Sequence, residues 1–245
     1  MPTDPVEARR RDARLYARTP THRQRLDHAR AIVRAALQAA PSWYVAVSGG
    51  KDSTCVLHLV HEQAPRVVAS NSTYEWMFPE TDEYLRRIPA LRRVATPTDH
   101  GTKWAPNWRT QEDAERAYPG IVWLEPRVGE DVGHSEAGVF LGLRADEAPY
   151  RRRHLRRMGP LFHCRQSDRW HCSPIAWWTV DDVWAYIETE QLDYNRAYDR
   201  LVAIGIDRDK QRIGPLVIAP DVLRRGWPAL WARYARVHPL ARRYA

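Results

Sequence analysis

The chain has 245 residues, 44% hydrophobic and 28% charged, with a net charge of +8 and a pI near 9.7. No run approaches the roughly 18 apolar residues that span a bilayer, which excludes a helical membrane protein. Three cysteines are too few for a disulfide framework. The setting expected is therefore reducing and cytoplasmic, and the polar N-terminus lacks the apolar stretch of a secretory signal. The excess of basic residues suits an anionic partner such as a nucleotide, a phosphate or a nucleic acid. An arginine-rich solvated surface would give the same balance.

Taken in chain order, residues 1–20 are polar and arginine-rich and read as a flexible basic arm. From Thr21 to Ala40, Leu26, Ala29, Ile32, Val33, Ala36 and Leu37 recur on one helical face, with Thr21 as N-cap and Pro41 beyond the end. Residues 43–47 form an apolar run without helical period, hence a buried strand. Residues 52–62 read as a helix, 66–70 as a strand, 79–88 as a helix and 91–95 as a third strand. The stretch 96–120 reads as a long loop with a short helix near 110–117, followed by strands at 121–124 and 139–143. Ile175 is expected to end a short strand. Thr179 and Asp182 have capping-box spacing and open a helix. Residues 195–215 read as loop and short helix, and the segment from Asp221 as helical, interrupted at Pro228. This alternation predicts an α/β fold, a parallel Rossmann-like sheet flanked by helices, with an N-terminal helix. The expected divisions are an arm (1–20), a nucleotide-binding domain (21–218) and a helical C-terminal extension (219–245).

Ser48-Gly49-Gly50-Lys51-Asp52-Ser53 lies between the first strand and an amphipathic helix. Glycines let the backbone turn sharply and approach an anion. The helix start offers free N–H groups and the positive end of its dipole. Lys51 adds charge, and Ser48 and Ser53 add hydroxyls, which together make a phosphate cradle. A Walker A loop would need Gly at position 45 and Ser or Thr after the lysine; here these are Val45 and Asp52. Asp52 could position Mg²⁺ or simply favour the helix N-terminus.

This loop resembles the PP-loop of the adenine-nucleotide α-hydrolase superfamily. Three later segments narrow the resemblance to its phosphoadenylyl-sulfate (PAPS) reductase-like branch: Asn71 to Thr81, Leu141 to Glu147, and Pro174 to Trp184. Tyr194 to Gly214 resembles the tail of that nucleotide domain. The resemblance implies a nucleotide across the strand ends, ATP or a sulfonucleotide such as PAPS or APS, with Mg²⁺. It implies adenosine recognition by Asn71, Ser72 and Thr73. Gly142 belongs to the Gly-Leu-Arg motif, and Arg144 would reach the phosphate or sulfate tail, or else pair with Asp146 or Glu147. Arg212 would face the phosphates, with help from Lys210 and Arg208. Trp178 and Trp184 read as structural.

Reductases of this branch use a cysteine near the C-terminus, and some hold an iron–sulfur cluster on Cys-Cys and Cys-x-x-Cys pairs. No cysteine follows Cys172 and neither pair occurs, so no cluster is expected. Cys55 reads as a buried thiol. His163, Cys164, His171 and Cys172 could bind zinc, but neighbouring strand residues point to opposite faces. Four readings stay open: an ATP pyrophosphatase that adenylates an unknown acceptor with Lys51, Asp52 and Arg144 as catalytic groups; a sulfonucleotide-binding or reductase-like protein; a nucleic-acid sulfur-transfer enzyme; and a non-catalytic nucleotide-binding module. Trp104, Trp108 and Trp123 could line a cleft, an interface or the core.

Overall fold

The computed structural model describes residues 5–73, 77–95, 111–117, 119, 122–123, 135–211, 213 and 218–237. Their centre is a seven-stranded sheet: β1 (Trp43–Ala46), β2 (Val68–Ser72), β3 (Arg92–Ala95), β4 (Val122–Trp123), β5 (Gly138–Phe140), β6 (Leu161–Cys164) and β7 (Arg169–Cys172). The spatial order is β4-β3-β2-β1-β5-β7-β6, with every pair parallel except β6 with β7. From β1 the chain winds outward to β4, then returns to β1's other side with β5. The order reverses between β1 and β5, and open α/β sheets bind ligands in the crevice at the strand ends of such a switch point.

Ten helices surround the sheet among the described residues: α1 (Pro5–Tyr16), α2 (Pro20–Ala39), α3 (Lys51–His61), α4 (Pro79–Arg87), α5 (Gln111–Ala117), α6 (Pro149–Met158), α7 (Val180–Thr189), α8 (Ala197–Ala203), α9 (Pro220–Gly226) and α10 (Pro228–Val237). α3 packs on β1, α2 on β7, α7 on α3, and α1 lies along α7. One apolar core joins them, including Ala29, Ile32 and Val33 of α2, Cys55, Val56 and Leu59 of α3, and Val183 and Ile187 of α7. The expected parallel α/β architecture is present.

The expected capping box is formed: Thr179 N donates to Asp182 Oδ2 at 2.7 Å, and Asp182 N donates to Thr179 Oγ1 at 3.4 Å. Three expectations need correction. Residues 5–16 are helical instead of a flexible arm, because Arg9 and Arg10 find acids far along the chain, Asp209 at 2.8 Å and Glu188 at 3.5 Å. The N-cap of α2 is Thr19, whose side chain accepts from His22 N, with Pro20 pre-set for the first turn. β7 ends at Cys172, and Ile175 lies in the turn that follows. β6 is an additional edge strand, held by antiparallel pairing with β7. In the C-terminal helices, Trp227 stacks on Phe78 at 3.9 Å and donates to Glu80 Oε2 at 2.8 Å, which fastens α9 over the start of α4.

Candidate functional site

The loop from Val47 to Gly50 leaves β1 and enters α3 at the switch point. Val47 N donates to Ser70 O at 2.7 Å, which continues the β1–β2 ladder for one residue. Gly49 has φ +80°, and a Cβ there would lie 2.9 Å from Thr81 Cγ2. Both the dihedral and the space demand glycine. The Ser53 hydroxyl knits the loop: Ser48 N donates to Ser53 Oγ at 3.2 Å, and Ser53 Oγ donates to Gly50 O at 2.9 Å. α3 opens at Gly50, which has no side chain to cap it, and its first amide, Lys51 N, is taken by Tyr198 OH. Gly142, on the loop leaving β5, packs against this first turn. A Cβ at 142 would stand 2.9 Å from Ser53 N and 3.0 Å from the Asp52 carbonyl carbon. The missing side chain at 142 lets the loop leaving β5 approach the α3 backbone closely.

Behind the loop lie two buried cations that share one carboxylate. Lys51 Nζ is 3.0 Å from Asp52 Oδ2, and Arg144 Nε is 2.5 Å from Asp52 Oδ1. Lys51 and Arg144 are only 4% and 3% exposed. Burial alone would push the Asp52 carboxyl up, but Lys51 and Arg144 reverse this and hold it below the usual carboxylate range. Burial would likewise lower Lys51 and Arg144. The Tyr198 and Asp52 contacts of the lysine, and the Asp52 contact of the arginine, instead raise both. Arg144 also reaches Asp146 at 3.3 Å, and its backbone N donates to Glu147 Oε2 at 3.0 Å. Each oxygen of Asp52 thus faces a cation, Oδ2 toward Lys51 and Oδ1 toward Arg144.

The end of β2 braces the loop from one side. Asn71 Nδ2 donates to Val47 O at 2.6 Å, and Thr73 Oγ1 donates to Asn71 Oδ1 at 2.8 Å. Both side chains are buried, while Ser72 is exposed. Two further residues hold the loop and carry no motif of their own. Asn195 Nδ2 donates to Gly49 O at 3.1 Å and to Thr81 Oγ1 at 2.7 Å, and Lys51 N donates to Tyr198 OH at 3.1 Å. The signal for them was their place in the matching tail after Tyr194. Arg208 is not brought to the loop. It is buried over Trp184 at 3.6 Å, and the rings of Trp184 and Tyr198 lead from it to Lys51. Arg212, Trp104 and Trp108, and the side chains of Lys210 and Trp123, lie outside the described residues.

None of this sequence's three cysteines is poised over the crevice. Cys55 and Cys172 are completely buried, and burial pushes both thiols up. Cys164 is held somewhat low by a hydrogen bond from Ser167, but it pairs with Arg169, the first residue of β7. That places it at the edge of the sheet away from the crevice, where the parallel strands begin. The β6–β7 register puts His163 and Cys172 on one face and Cys164 and His171 on the other, so the four do not converge. Among the described residues, His58, Glu62 and Glu190 come close enough to share an ion, yet Glu62 accepts twice from Arg30 at 3.1 Å and His58 Nδ1 meets Tyr186 OH at 2.7 Å.

A family model for the phosphoadenosine phosphosulfate reductase domain matches residues 42–205. A phosphoadenosine 5'-phosphosulfate reductase of Xanthomonas euvesicatoria pv. vesicatoria is 28% identical over 193 residues, covering 73% of this chain and 76% of that protein. One of Xylella fastidiosa is 28% identical over 184 residues, covering 69% and 73%. Among solved structures, the PAPS reductase of Candida auris in a phosphate complex aligns with a TM-score of 0.48 at 19% identity, covering 76% of this chain and 87% of that one. The FMN adenylyltransferase of Candida glabrata aligns with a TM-score of 0.49 at 10% identity, covering 78% and 66%.

Proposed function

The chain belongs to the phosphoadenosine phosphosulfate reductase domain family, and from that premise we propose that it is an adenylyl-transferring enzyme of the ATP pyrophosphatase type. The observation that carries this reading is the glycine turn that opens α3 at the switch point, backed by Lys51, Asp52 and Arg144, with the nearby Cys55 thiol fully buried. The α3 amides and the Gly49–Gly50 turn receive the phosphates. The Lys51–Asp52–Arg144 trio carries one net positive charge behind them. An acceptor hydroxyl oxygen bonds to the α-phosphorus, and its proton passes to solvent. The bond from that phosphorus to the bridging oxygen breaks, and pyrophosphate leaves with the electron pair. A second nucleophile then displaces AMP. The protein's part is positioning and charge stabilisation, which need no covalent side chain.

A second reading is favoured by the relatives named as sulfonucleotide reductases: the same crevice holds PAPS or APS, and any reductant comes from outside this chain's cysteines. The two are separated by incubating the protein with ATP and magnesium, with and without candidate acceptors, and quantifying AMP, pyrophosphate and ADP. AMP with pyrophosphate, abolished in Lys51→Ala, is the expected result. ADP with phosphate would overturn the proposal, and tight PAPS binding without ATP turnover would install the second reading.

A further inference from the structure

α6 reads Pro-Tyr-Arg-Arg-Arg-His-Leu-Arg-Arg-Met, five arginines in ten residues with no acid. That is more than half the chain's net charge of +8 on one short helix. Leu155 is its buried anchor, packed with Ala145, Ala176 and the partly buried Trp177. Arg151 turns inward and pairs with Glu147. Arg152, Arg153, Arg156 and Arg157 are all exposed, and none of them forms an ion pair among the described residues. They stand as two i,i+4 pairs, 152 with 156 and 153 with 157. Each like-charged pair opposes the helix by about 0.2–0.5 kcal/mol.

On two other helices the exposed arginines are paired with acids one turn away. On α4, Arg86 meets Asp82 at 2.9 Å and Arg87 meets Glu83 at 2.8 Å, each one turn away. On α5, Arg116 meets Glu112 at 3.1 Å. Only α6, among these helices, presents its cations without acids.

The placement is as informative as the charge. α6 follows the Gly142–Arg144 segment, and the chain leaves it at Gly159 to start β6 opposite Cys172, the last residue of β7. Both ends of α6 therefore lie at the end of the sheet where the crevice opens. Glu147 links the two: it pairs with Arg151 and also accepts from the backbone N of Arg144. Tyr150, 58% exposed, stands beside the arginines as a ring on which a base can stack.

We infer that the arginine face of α6 binds the phosphate backbone of a nucleic acid and brings a nucleotide of that strand to the crevice as acceptor. This rests on the adenylyl-transfer reading for its purpose, but not for the binding itself. Guanidinium groups recognise phosphate oxygens through a planar fork of donors. Four arginines on a single strand give a slope of log affinity against log salt near −3, since each phosphate contributes about −0.7. Affinity should then fall about 50-fold between about 50 and 200 mM salt.

The test measures binding of fluorescein-labelled single-stranded RNA and DNA and duplex DNA by anisotropy, without nucleotide, across salt concentrations. The wild type should bind at least one of these with the steep slope. Arg152, Arg153, Arg156 and Arg157 all changed to Gln should weaken it at least tenfold and flatten the slope, at an unchanged melting temperature. If that variant melts early, the pair Arg153→Gln and Arg157→Gln is used and should halve the slope. Wild-type binding by a folded variant would overturn the inference. So would polyglutamate competing as well as the oligonucleotide, which would indicate an acidic protein partner instead. Pyrophosphate release is scored separately: binding without turnover sinks only the adenylyl-transfer reading, and turnover without binding sinks only this one.

Discussion

The crevice and α6 hold cations under opposite rules. Lys51 and Arg144 are buried and both lean on Asp52, whereas four arginines of α6 are exposed and lean on nothing among the described residues. A buried charge without a partner costs several kcal/mol, so burial forces pairing. An exposed one is screened by water at little cost, so it can stay unpaired and available. α1 falls between the two, with Arg9 about 38% exposed and paired to Asp209 at 2.8 Å.

That contrast ranks the expected effects of mutation. Asp52→Ala removes the carboxylate shared by two buried cations, leaving Arg144 only Asp146, and should lower unfolding free energy by about 3–5 kcal/mol, read from urea melts. A loss below about 1 kcal/mol would mean the trio is not a buried network. The same group fixes an acid limb. The carboxyl sits lower in the folded than in the unfolded chain, so its stabilisation is complete above the unfolded value near 3.9. It is lost as pH falls below that and through the folded value. Wild type should therefore lose stability in that window, and Asp52→Asn should lose less there; parallel acid limbs would remove Asp52 as the cause.

Next comes Gly142→Ala, which pushes a methyl against the backbone of α3. It should cost about 1–3 kcal/mol and weaken nucleotide binding by titration calorimetry. Unchanged affinity would show that the close approach of residue 142 to α3 does not shape the nucleotide site. Arg9→Ala breaks only a part-exposed pair and should cost under about 1 kcal/mol. The four α6 changes to Gln should be smallest, within about 0.5 kcal/mol and on the stabilising side, because two like-charge pairs are relieved. A large destabilisation there would show that α6 has acid partners after all.

Local signals were legible in residues 43–95. A strand, two glycines, a lysine and an amphipathic helix are encoded by adjacent positions, and β1 and α3 stand within a residue or so of their expected bounds. The capping box at Thr179 was legible for the same reason. α1 was not, because its arginine-rich sequence has no apolar stripe strong enough to announce a helix. It is held by Glu188, Asp207 and Asp209, nearly two hundred residues away. The pairing of Asp52 with Arg144 is not legible in the sequence for a related reason. Sequence neighbours suggest Asp146 or Glu147 as partners, while the closest partner of Arg144 is 92 residues distant. Asn195 and Tyr198 are not legible because a lone asparagine before a short helix and a lone tyrosine inside it carry no pattern of their own.

By itself, then, the sequence determined a parallel α/β fold, its family and the loop that opens α3, since strand and helix periods and glycine turns are properties of short segments. The tertiary structure alone decided which charges are buried, that Asp52 holds Lys51 and Arg144, and that α6 leaves its arginines facing water beside the crevice. Ion pairing depends on distance and burial in three dimensions, and neither is written in the spacing of residues along a chain.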